Sequence, residues 1–418
     1  MRRDCGSLVT GLSRPERCRG RRQKSAVPGG LLRALAGALL LALVVTTSAV
    51  GAAPVSETII DDLQGDLDLS HFERLWGELD QEARDFLPDL SWPRLLEKIR
   101  SGEQFLDPGA IFGGMSRFFF GEVLLNLKFM GQLLLLAVTA AFLKNLESAF
   151  GGGQIAALTR SIIFLVLVGI CLYSFNVALN LAGKAIDDMV DFTLSSLPVL
   201  TAFLAAQGNL VSAALFHPLI IFGINFFGML IRSAVFPLIY FSAVLGLADH
   251  FSPHFKVGRL AELFQELSIW GLGISMTVFV GILTVQGAAG TVADAVGLRT
   301  AKYMTAAFVP VVGKILSDAV EAVAGASLIL KNGIFLSGVV LLLLLMLFPL
   351  LKLGAITLLY KISAALVEPL GEAELGSCLK IMSRSMALVL AALASVGVIF
   401  ILAVTVLVGA GNVAIMFR

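Results

Sequence analysis

Residues 385 to 408 read SMALVLAALASVGVIFILAVTVLV, and no charged residue occurs between Arg384 and Arg418. About 20 apolar residues in succession are enough for a helix to cross the ~30 Å hydrocarbon core of a bilayer. The run is continuously apolar and does not alternate with polar residues, so its pattern is not that of a half-buried β-strand. This stretch predicts a transmembrane helix near the end of the chain.

Long apolar runs recur through most of the sequence. Hydrophobic residues make up 57% of the chain and charged residues 15%, against roughly 45–50% and about 25% in soluble domains. A soluble fold could not bury that excess, whereas helices satisfy their own backbone hydrogen bonds within lipid. The sequence therefore predicts an all-α, polytopic helical membrane protein. The predicted spans lie near residues 119–143, 161–182, 210–231, 233–248, 268–290, 333–351, 353–370 and 385–408.

Two further apolar segments contain an internal proline. Residues 192–206 include Pro198, and residues 303–320 include Pro310. Both segments are too short to cross a bilayer comfortably, and a proline removes one helical hydrogen bond. These features favour an interfacial or re-entrant placement.

The offset between these prolines also brings Pro237 onto Pro349, each in a Phe-Pro-Leu sequence. The match predicts two tandem units, residues 157–268 and residues 269–418, the second including the C-terminal span. Each unit contains two apolar runs divided near its proline, which can form a hairpin. If both hairpins cross the membrane twice, each unit has three crossings and the units are inverted, as in many secondary transporters.

The N-terminus has the three parts of an export signal. Basic residues precede an apolar run from Ala34 to Val45, and small residues follow up to Ala53. This order is typical of a cleaved signal peptide, here residues 1–53. An uncleaved anchor helix is the alternative, because residues 34–53 are just long enough to span a bilayer. Either outcome places residue 54 outside the cytoplasm.

Residues 54–118 form an acidic region, which we expect outside the cytoplasm because basic residues favour the cytoplasmic side. Ser70 and Glu73 have capping-box spacing, and an amphipathic helix is predicted over residues 71–87, followed by a second short helix. Two short helices bury little surface alone. Their apolar faces must therefore pack on the membrane part of the chain or on a partner protein. The candidate partner contacts are Trp76, Phe86 and Trp92.

Lys128 lies within the first predicted span, in a region comprising that span and a cytoplasmic loop over residues 119–156. An ionised side chain at mid-bilayer costs roughly 2.5–3.5 kcal/mol. Lys128 is therefore expected to reach the interface or to meet Glu122 or Glu147 from a neighbouring helix.

Lys314, Asp318 and Glu321 have spacings of four and three, so they can pair on one helical face. A transport pathway is the alternative role for these charges. Small residues such as Gly281 permit close helix contacts, either within the chain or between copies in a homo-oligomer. The candidate intramembrane polar or hinge residues are Lys128, Pro198, Pro237, Pro310, Lys314, Asp318, Glu321 and Pro349.

The sequence contains no recognised catalytic, nucleotide-binding or metal-binding motif. His250 and His254 form a weak histidine cluster, but Pro253 lies between them and no HExxH glutamate is present. Cys171 and Cys378 lie in or beside apolar spans without a CxxC pattern. We therefore predict a protein that is not an enzyme and has no cofactor or metal site. Nucleic-acid binding is not expected either, because basic residues cluster only at the extreme N-terminus.

Several short segments are similar to those of one known family. They are FLPDLSW at 86–92, FFFGE at 118–122, LKNLES at 143–148, KAIDDM at 184–189 and LPVL at 197–200. On these segments the chain resembles the stage III sporulation protein AE family, and the resemblance extends over residues 70–408. The order of parts also agrees, with an export signal, a short extracytoplasmic helical region and a polytopic body.

The resemblance implies a role in endospore formation. It implies a multi-pass protein of the mother-cell membrane around the forespore, acting with other membrane proteins of the stage III A operon, a forespore membrane protein and a separate ATPase subunit. Our leading hypothesis is a non-enzymatic membrane subunit of a channel between mother cell and forespore, needed for late forespore gene expression. An independent secondary transporter with inverted repeats is the alternative, and a membrane enzyme is a third.

Overall fold

A computed structural model describes residues 108–150, 154–206, 209–249, 256–308 and 312–416. Helices account for all regular secondary structure in these ranges, which confirms the predicted all-α fold. The helices are α1 (Pro108–Leu125), α2 (Leu127–Phe150), α3 (Gln154–Ala206), α4 (Leu210–Leu230), a π-helical turn (Ile231–Val235), α5 (Phe236–Ala248), α6 (Gly258–Phe308), α7 (Val312–Val367), a 3-10 turn (Glu368–Leu370) and α8 (Ala373–Met416).

Six helical segments in the described ranges are long and apolar enough to cross a membrane. The chain is therefore a multi-pass membrane protein. The candidate spans are Gly113–Leu143, Ser161–Ala202, Leu210–Ala248, Gly258–Gly297, Gly338–Leu370 and Ala373–Gly409.

The hairpins predicted at Pro237 and Pro349 are wrong. Residues 210–248 are helical throughout, and α7 continues through Pro349 to Val367. Arg232 and Lys352, which separate the apolar runs of each predicted hairpin, have partners on neighbouring helices. Because each cation is paired within the fold, the helix does not have to leave the membrane at that point.

The continuous helices also remove the basis for an inverted repeat. Residues 157–268 contain α3 and then the helical segment 210–248, which makes two long candidate spans where three crossings were expected. An even number of crossings leaves successive units in the same orientation. The division into two tandem units remains a prediction. Its proposed boundary, between residues 268 and 269, lies inside α6.

Pro198 does not end a helix. It lies inside α3, which has 53 residues, so residues 192–206 continue the preceding span and are not a separate element. A proline in a helix removes one N–H donor and crowds the carbonyl four residues earlier, but the flanking turns keep their own hydrogen bonds. Pro310 lies outside the described residues.

Pro237 has a different local effect. It follows the π-helical turn Ile231–Val235, in which the Phe236 N–H donates to the Ile231 carbonyl oxygen. The proline ring would crowd the carbonyl of Ser233 in a regular α-helix, and a local π-helical adjustment is one way in which a membrane helix accommodates a proline. The turn thus keeps residues 210–248 in one helix despite the proline.

Helix α8 forms the centre of the bundle. Its most apolar window is 78% buried, and it packs against α3, α5, α6 and α7. Helix α6 lies at the periphery, with contacts to α4, α5 and α8 and little contact with α7. Helices α1 and α2 pack on α7. Thus α8 is shielded from the surroundings, whereas α6 keeps a broad outward surface.

Candidate functional site

A group of charged residues interrupts the apolar surface halfway along α3. We call it the charged belt and define it as Lys184, Asp187, Asp188, Asp191 and Arg232. Arg232 comes from the π-helical turn, and its guanidinium donates to both carboxylate oxygens of Asp187. The two side chains are 49% and 44% exposed, respectively. One guanidinium nitrogen, Nη1, makes both contacts, and the pair joins α3 to the 210–248 helix.

The charged belt lies at one depth in the bundle. With a rise of 1.5 Å per residue, Asp187 is about 29 Å from the end of α3 at Ala206, and Arg232 is about 33 Å from the start of α4 at Leu210. These lengths match the ~30 Å hydrocarbon thickness of a bilayer. The belt is therefore about one bilayer thickness from the α3–α4 junction, with apolar helix on both sides of it.

A second polar site lies at that junction. Asp294 of α6 is only 3% exposed, and its two carboxylate oxygens accept hydrogen bonds from the backbone N–H groups of Val211 (2.9 Å) and Ser212 (3.0 Å). The first N–H groups of a helix have no intrahelical acceptor, and the positive end of the helix dipole favours an anion there. Asp294 therefore caps α4 from a distant part of the chain.

The surroundings of this cap are tightly packed and polar. Asn209 is fully buried, and neither its side-chain amide nor the Ser212 hydroxyl has a hydrogen-bond partner among the described residues. Gly290 permits the close approach, because a Cβ atom at this position would lie 2.7 Å from the Ser212 Oγ. The α4–α6 contact thus depends on two residues of α6. Gly290 has no side chain to obstruct the contact, and the buried Asp294 carboxylate lies one turn further along.

A third charged contact joins α1 to α7. The Lys352 Nζ lies 3.8 Å from a carboxylate oxygen of Glu122 and 5.9 Å from the centre of the Phe118 ring. The Asn126 amide donates to the Glu122 backbone carbonyl at 2.8 Å and approaches its carboxylate at 3.4 Å. Glu122 is 12% and Lys352 23% exposed. This contact holds the first span against the long helix α7.

Lys128 lies exposed on α2, six residues after Glu122 in the chain. The described contacts of Glu122 are with Asn126 and Lys352, whereas the Glu147 side chain lies outside the described residues. Both proposed partners for Lys128 therefore remain predictions.

The other predicted site residues are dispersed. Pro198 lines an open groove of about 510 Å³ between α3 and α4, together with His217 and Pro218. The groove is mostly apolar, because four alanine side chains and Thr201 form its other walls. Pro349 lies within α7, far along the chain from this groove. Neither Pro237 nor Pro349 lines this groove, and Pro310 lies outside the described residues.

Several predicted positions cannot be compared with the structure. Trp76, Phe86 and Trp92 lie outside the described residues. The backbone at Lys314, Asp318 and Glu321 belongs to α7, but their side chains are outside the described set. The partner surface and the proposed pairing of these charges therefore stay predictions.

Sequence reasoning missed Asp294 and the partner of Arg232. Asp294 was detectable as the lone charged residue between Glu266 and Arg299, a position at which an intramembrane carboxylate requires a partner. Its partners are backbone N–H groups more than 80 positions away in the chain, and no local pattern specifies those. In the described part of the chain, no group of three or more His, Cys, Asp or Glu side chains could hold a metal ion.

Comparison with known proteins identifies the family. The profile described as stage III sporulation protein AE matches residues 90–411. The chain belongs to the stage III sporulation protein AE family. The resemblance seen in the sequence is thereby confirmed.

A curated relative of the AE family supports the same assignment. The stage III sporulation protein AE of Bacillus subtilis (strain 168) is 36% identical over 366 residues, which cover 88% of this chain and 92% of the relative. No solved structure matches the chain. The AE family match includes all six candidate spans, the charged belt and Asp294.

Proposed function

We propose that this chain is a non-enzymatic membrane subunit of a channel complex between the mother cell and the forespore, needed for late forespore gene expression. Membership of the stage III sporulation protein AE family is the observation that carries the proposal. The multi-pass architecture supports it, because a subunit of such a channel must be embedded in a membrane.

The proposed setting is the mother-cell membrane that surrounds the forespore. The partners are other membrane proteins of the stage III A operon, a forespore membrane protein and a separate ATPase subunit. A separate ATPase agrees with a sequence in which we find no nucleotide-binding motif. The predicted extracytoplasmic region, residues 54–118, overlaps the candidate span Gly113–Leu143 at its end. Residues 54–112 would lie outside the cytoplasm, where their apolar helix faces can meet these partners.

The orientation of the spans follows from the export signal. If residue 54 is outside and six segments cross, the α3–α4 and α6–α7 junctions and the C-terminus are also outside. The segment between α5 and α6 is then cytoplasmic, and Lys256 and Arg259 near it agree with the bias of basic residues toward that side. Alkaline phosphatase fused after Met416 should be active, and a fusion in the segment between Ala248 and Gly258 should be inactive. The opposite result at either point would refute this orientation.

The functional test is replacement of the resident family member in an endospore former by this chain. Engulfment and a late forespore transcriptional reporter are scored separately in the deletion strain and in the complemented strain. We expect completed engulfment with a silent reporter after deletion, and an active reporter after complementation. Normal spores in the deletion strain, together with a lost solute phenotype in growing cells, would instead support an independent transporter.

The structure offers a matched pair of variants for the same assay. Arg232→Asp places a fourth carboxylate in the charged belt, whereas the double variant Asp187→Arg/Arg232→Asp restores the opposite charges with their positions exchanged. We expect the single variant to silence the reporter and the double variant to recover it. Full reporter activity of both variants would show that the belt does not contribute to the proposed role.

A further inference from the structure

A line of polar side chains follows the outward side of α3, and we call it the polar track. Its members recur at intervals of three or four residues, which places them on one helical face. They are Asn176, Asn180, Lys184, Asp187, Asp191 and Ser195. Four of the six are exposed and two are half-buried. At 1.5 Å per residue the track is about 29 Å long, which is close to the ~30 Å hydrocarbon thickness of a bilayer.

The helix packed beside the polar track gives a scale of depth. Arg232 of this helix pairs with Asp187 of the track. A Cβ atom at Gly228 would lie 3.0 Å from the Val190 side chain. These two contacts lie four residues apart on one helix and three apart on the other, and they run in opposite directions along the chain. The 210–248 helix is therefore antiparallel to α3, and residues can be matched by counting from the Arg232 contact.

Exposed phenylalanines of the 210–248 helix lie at the same depths as residues of the polar track. Ser195 comes eight residues after the contact on α3 and Phe226 six residues before it on the neighbouring helix, a difference in depth of about 3 Å. Asn180 comes seven residues before the contact and Phe241 nine after it, again a difference of about 3 Å. Phe226 is 49% and Phe241 53% exposed. Polar and apolar outer surfaces thus lie side by side.

Helix α6 is also apolar at the depth of the polar track. A Cβ atom at Gly271 would lie 4.0 Å from the side chain of Val235, which is three residues from Arg232. The neighbouring Trp270 and Ile274 are 68% and 57% exposed. An apolar surface of this kind suits lipid. The middle of the polar track therefore lies at a level where two other helices present apolar side chains outward.

Lipid cannot solvate the charged groups of the polar track. Lys184 and Asp191 are exposed, and neither forms an ion pair in the described part of the chain. Ionisable side chains at membrane depth face a water-filled cavity or a polar protein interior. A protein surface would have to match amide, ammonium and carboxylate groups in turn along the track. Water solvates all of these groups without such a match.

One end of the polar track leads into the groove between α3 and α4. Pro198 lines this groove and follows Ser195 by three residues, so it continues the same face of α3. Thr201 and His217 contribute polar groups to the groove, whose volume is about 510 Å³. Alanine side chains leave this space open beside the two helices. The track and the groove therefore form one continuous surface.

We propose that the polar track faces water at the depth of the lipid hydrocarbon and forms one wall of a path for small hydrophilic solutes. The charged belt, which overlaps the middle of the track, has two cations and three carboxylates. Its charge is nearly balanced, so it can solvate ions of either sign. The exposure to water rests on the geometry of α3 and its neighbours. The use as a path for solutes rests on the proposed channel function, and separate readouts test the two parts.

Reaction of single cysteines with a charged thiol reagent tests the exposure to water. Asn180→Cys and Ser195→Cys lie on the polar track. Phe241→Cys and Phe226→Cys are the respective controls, because they lie at matched depths and the native side chains are exposed. We expect the track positions to react about tenfold faster than their controls, since the thiolate is the reactive form and apolar surroundings suppress it.

The reaction is measured on the full-length chain in membranes of sporulating cells that this chain complements. Cys5 and Cys18 are replaced by Ser in every variant, and the buried Cys171 and Cys378 give the background. The reagent is trimethylammonioethyl methanethiosulfonate, a permanent cation. Fast reaction at all four positions would place this depth outside the hydrocarbon and overturn the proposal. Slow reaction at all four would show that protein or lipid covers the track, which would overturn it as well.

Bulky side chains on the polar track test its use as a path. The double variant Asn180→Trp/Asp191→Trp adds volume at two exposed positions of the track. The control is Phe226→Trp/Phe241→Trp. We expect the first variant to silence the late forespore reporter at a normal membrane level, measured by immunoblot, and the control to leave the reporter active.

The reporter separates failure of the path from failure of the channel assignment. An active reporter in the Asn180→Trp/Asp191→Trp strain would overturn the path for solutes, even if the cysteines show that the track faces water. An active reporter in the deletion strain itself would instead refute the proposed channel function. The cysteine reaction rates do not depend on either reporter result.

Discussion

Asp294→Ala is expected to destabilise the fold by about 2–4 kcal/mol. The substitution removes the acceptor of two backbone hydrogen bonds, at 2.9 Å from Val211 and 3.0 Å from Ser212. A buried donor left without an acceptor costs about 1–3 kcal/mol. Ser212 is buried and should bear the full cost, whereas Val211 is 42% exposed and can recover part of it from solvent. The total cost for the two donors therefore lies below about 6 kcal/mol, which is twice the upper value for one donor.

The Asp294→Asn variant separates the contribution of the negative charge to stability from that of the hydrogen bonds. The amide keeps one carbonyl oxygen as an acceptor but loses the negative charge, whose interaction with a helix N-terminus is worth about 0.3–1 kcal/mol and up to ~2 when partly buried. We therefore expect Asp294→Asn to cost about half as much as Asp294→Ala. The order of stability should be the native chain, then Asn, then Ala.

Thermal unfolding of the purified full-length chain in detergent can measure this order. Cys171 and Cys378 are buried free thiols. In a chain whose Cys5 and Cys18 are replaced by Ser, their reaction with a fluorogenic maleimide therefore reports unfolding of the bundle. Asp191→Ala is the control, because Asp191 is an exposed carboxylate whose side chain accepts no hydrogen bond in the described part of the chain. It should change stability by less than about 0.5 kcal/mol. An unfolding temperature of Asp294→Ala equal to that of Asp191→Ala would refute the capping role.

Four further substitutions test other positions. Arg232→Ala should cost on the order of 1 kcal/mol in the same assay, because the pair with Asp187 is about half exposed and solvent screens it; no change would mean that the pair does not hold the helices together. Gly223→Ala should cost about 1–3 kcal/mol, since a methyl group there overlaps an aromatic ring of α6, whereas Gly169→Ala, with open space, should be neutral or stabilising by up to ~1 kcal/mol. Lys128→Leu should leave the late forespore reporter active, because the Lys128 side chain lies exposed on α2. A silent reporter at a normal level of the protein would contradict this expectation.

The sequence was sufficient for the class of fold because apolar runs report directly on burial in lipid. The uncharged run at residues 385–408 lies within α8, the most buried of the six candidate spans. Composition and helix length therefore predicted a polytopic helical protein without any knowledge of tertiary contacts. The short family segments then predicted the family, which the comparisons confirmed.

The wrong hairpins show which information was missing. Arg232 and Lys352 each interrupt an apolar run, and a charge flanked by apolar residues is the usual sign that a span has ended. The partners that keep each charge inside a continuous helix, Asp187 and Glu122, come from other helices. A local pattern cannot distinguish a charge that ends a span from a charge that is paired across the bundle.

The polar sites were hard to predict for the same reason. Asp294 binds the start of α4 only because α6 returns antiparallel to α4 and Gly290 allows the approach. Asn209 was recognisable as a polar residue of an apolar region, but its position beside the cap depends on the packing of α6 against α4. Such contacts depend on the fold and become visible only once the packing is known.

The π-helical turn at Ile231–Val235 has a consequence for rotational phase. A line of buried residues follows this helix at intervals of four, with one interval of seven, at Phe216, Ile220, Ile224, Ile231, Val235, Ile239 and Ala243. An α-helix turns once every 3.6 residues. Residues spaced four apart therefore drift slowly around the surface of a regular α-helix. The extra residue of one π turn offsets about 100° of this rotation. The wide turn thus keeps the two halves of a 39-residue helix facing the same neighbours. A chain lacking that one residue would keep its helix and its composition, yet would point the far half of the segment away from the core.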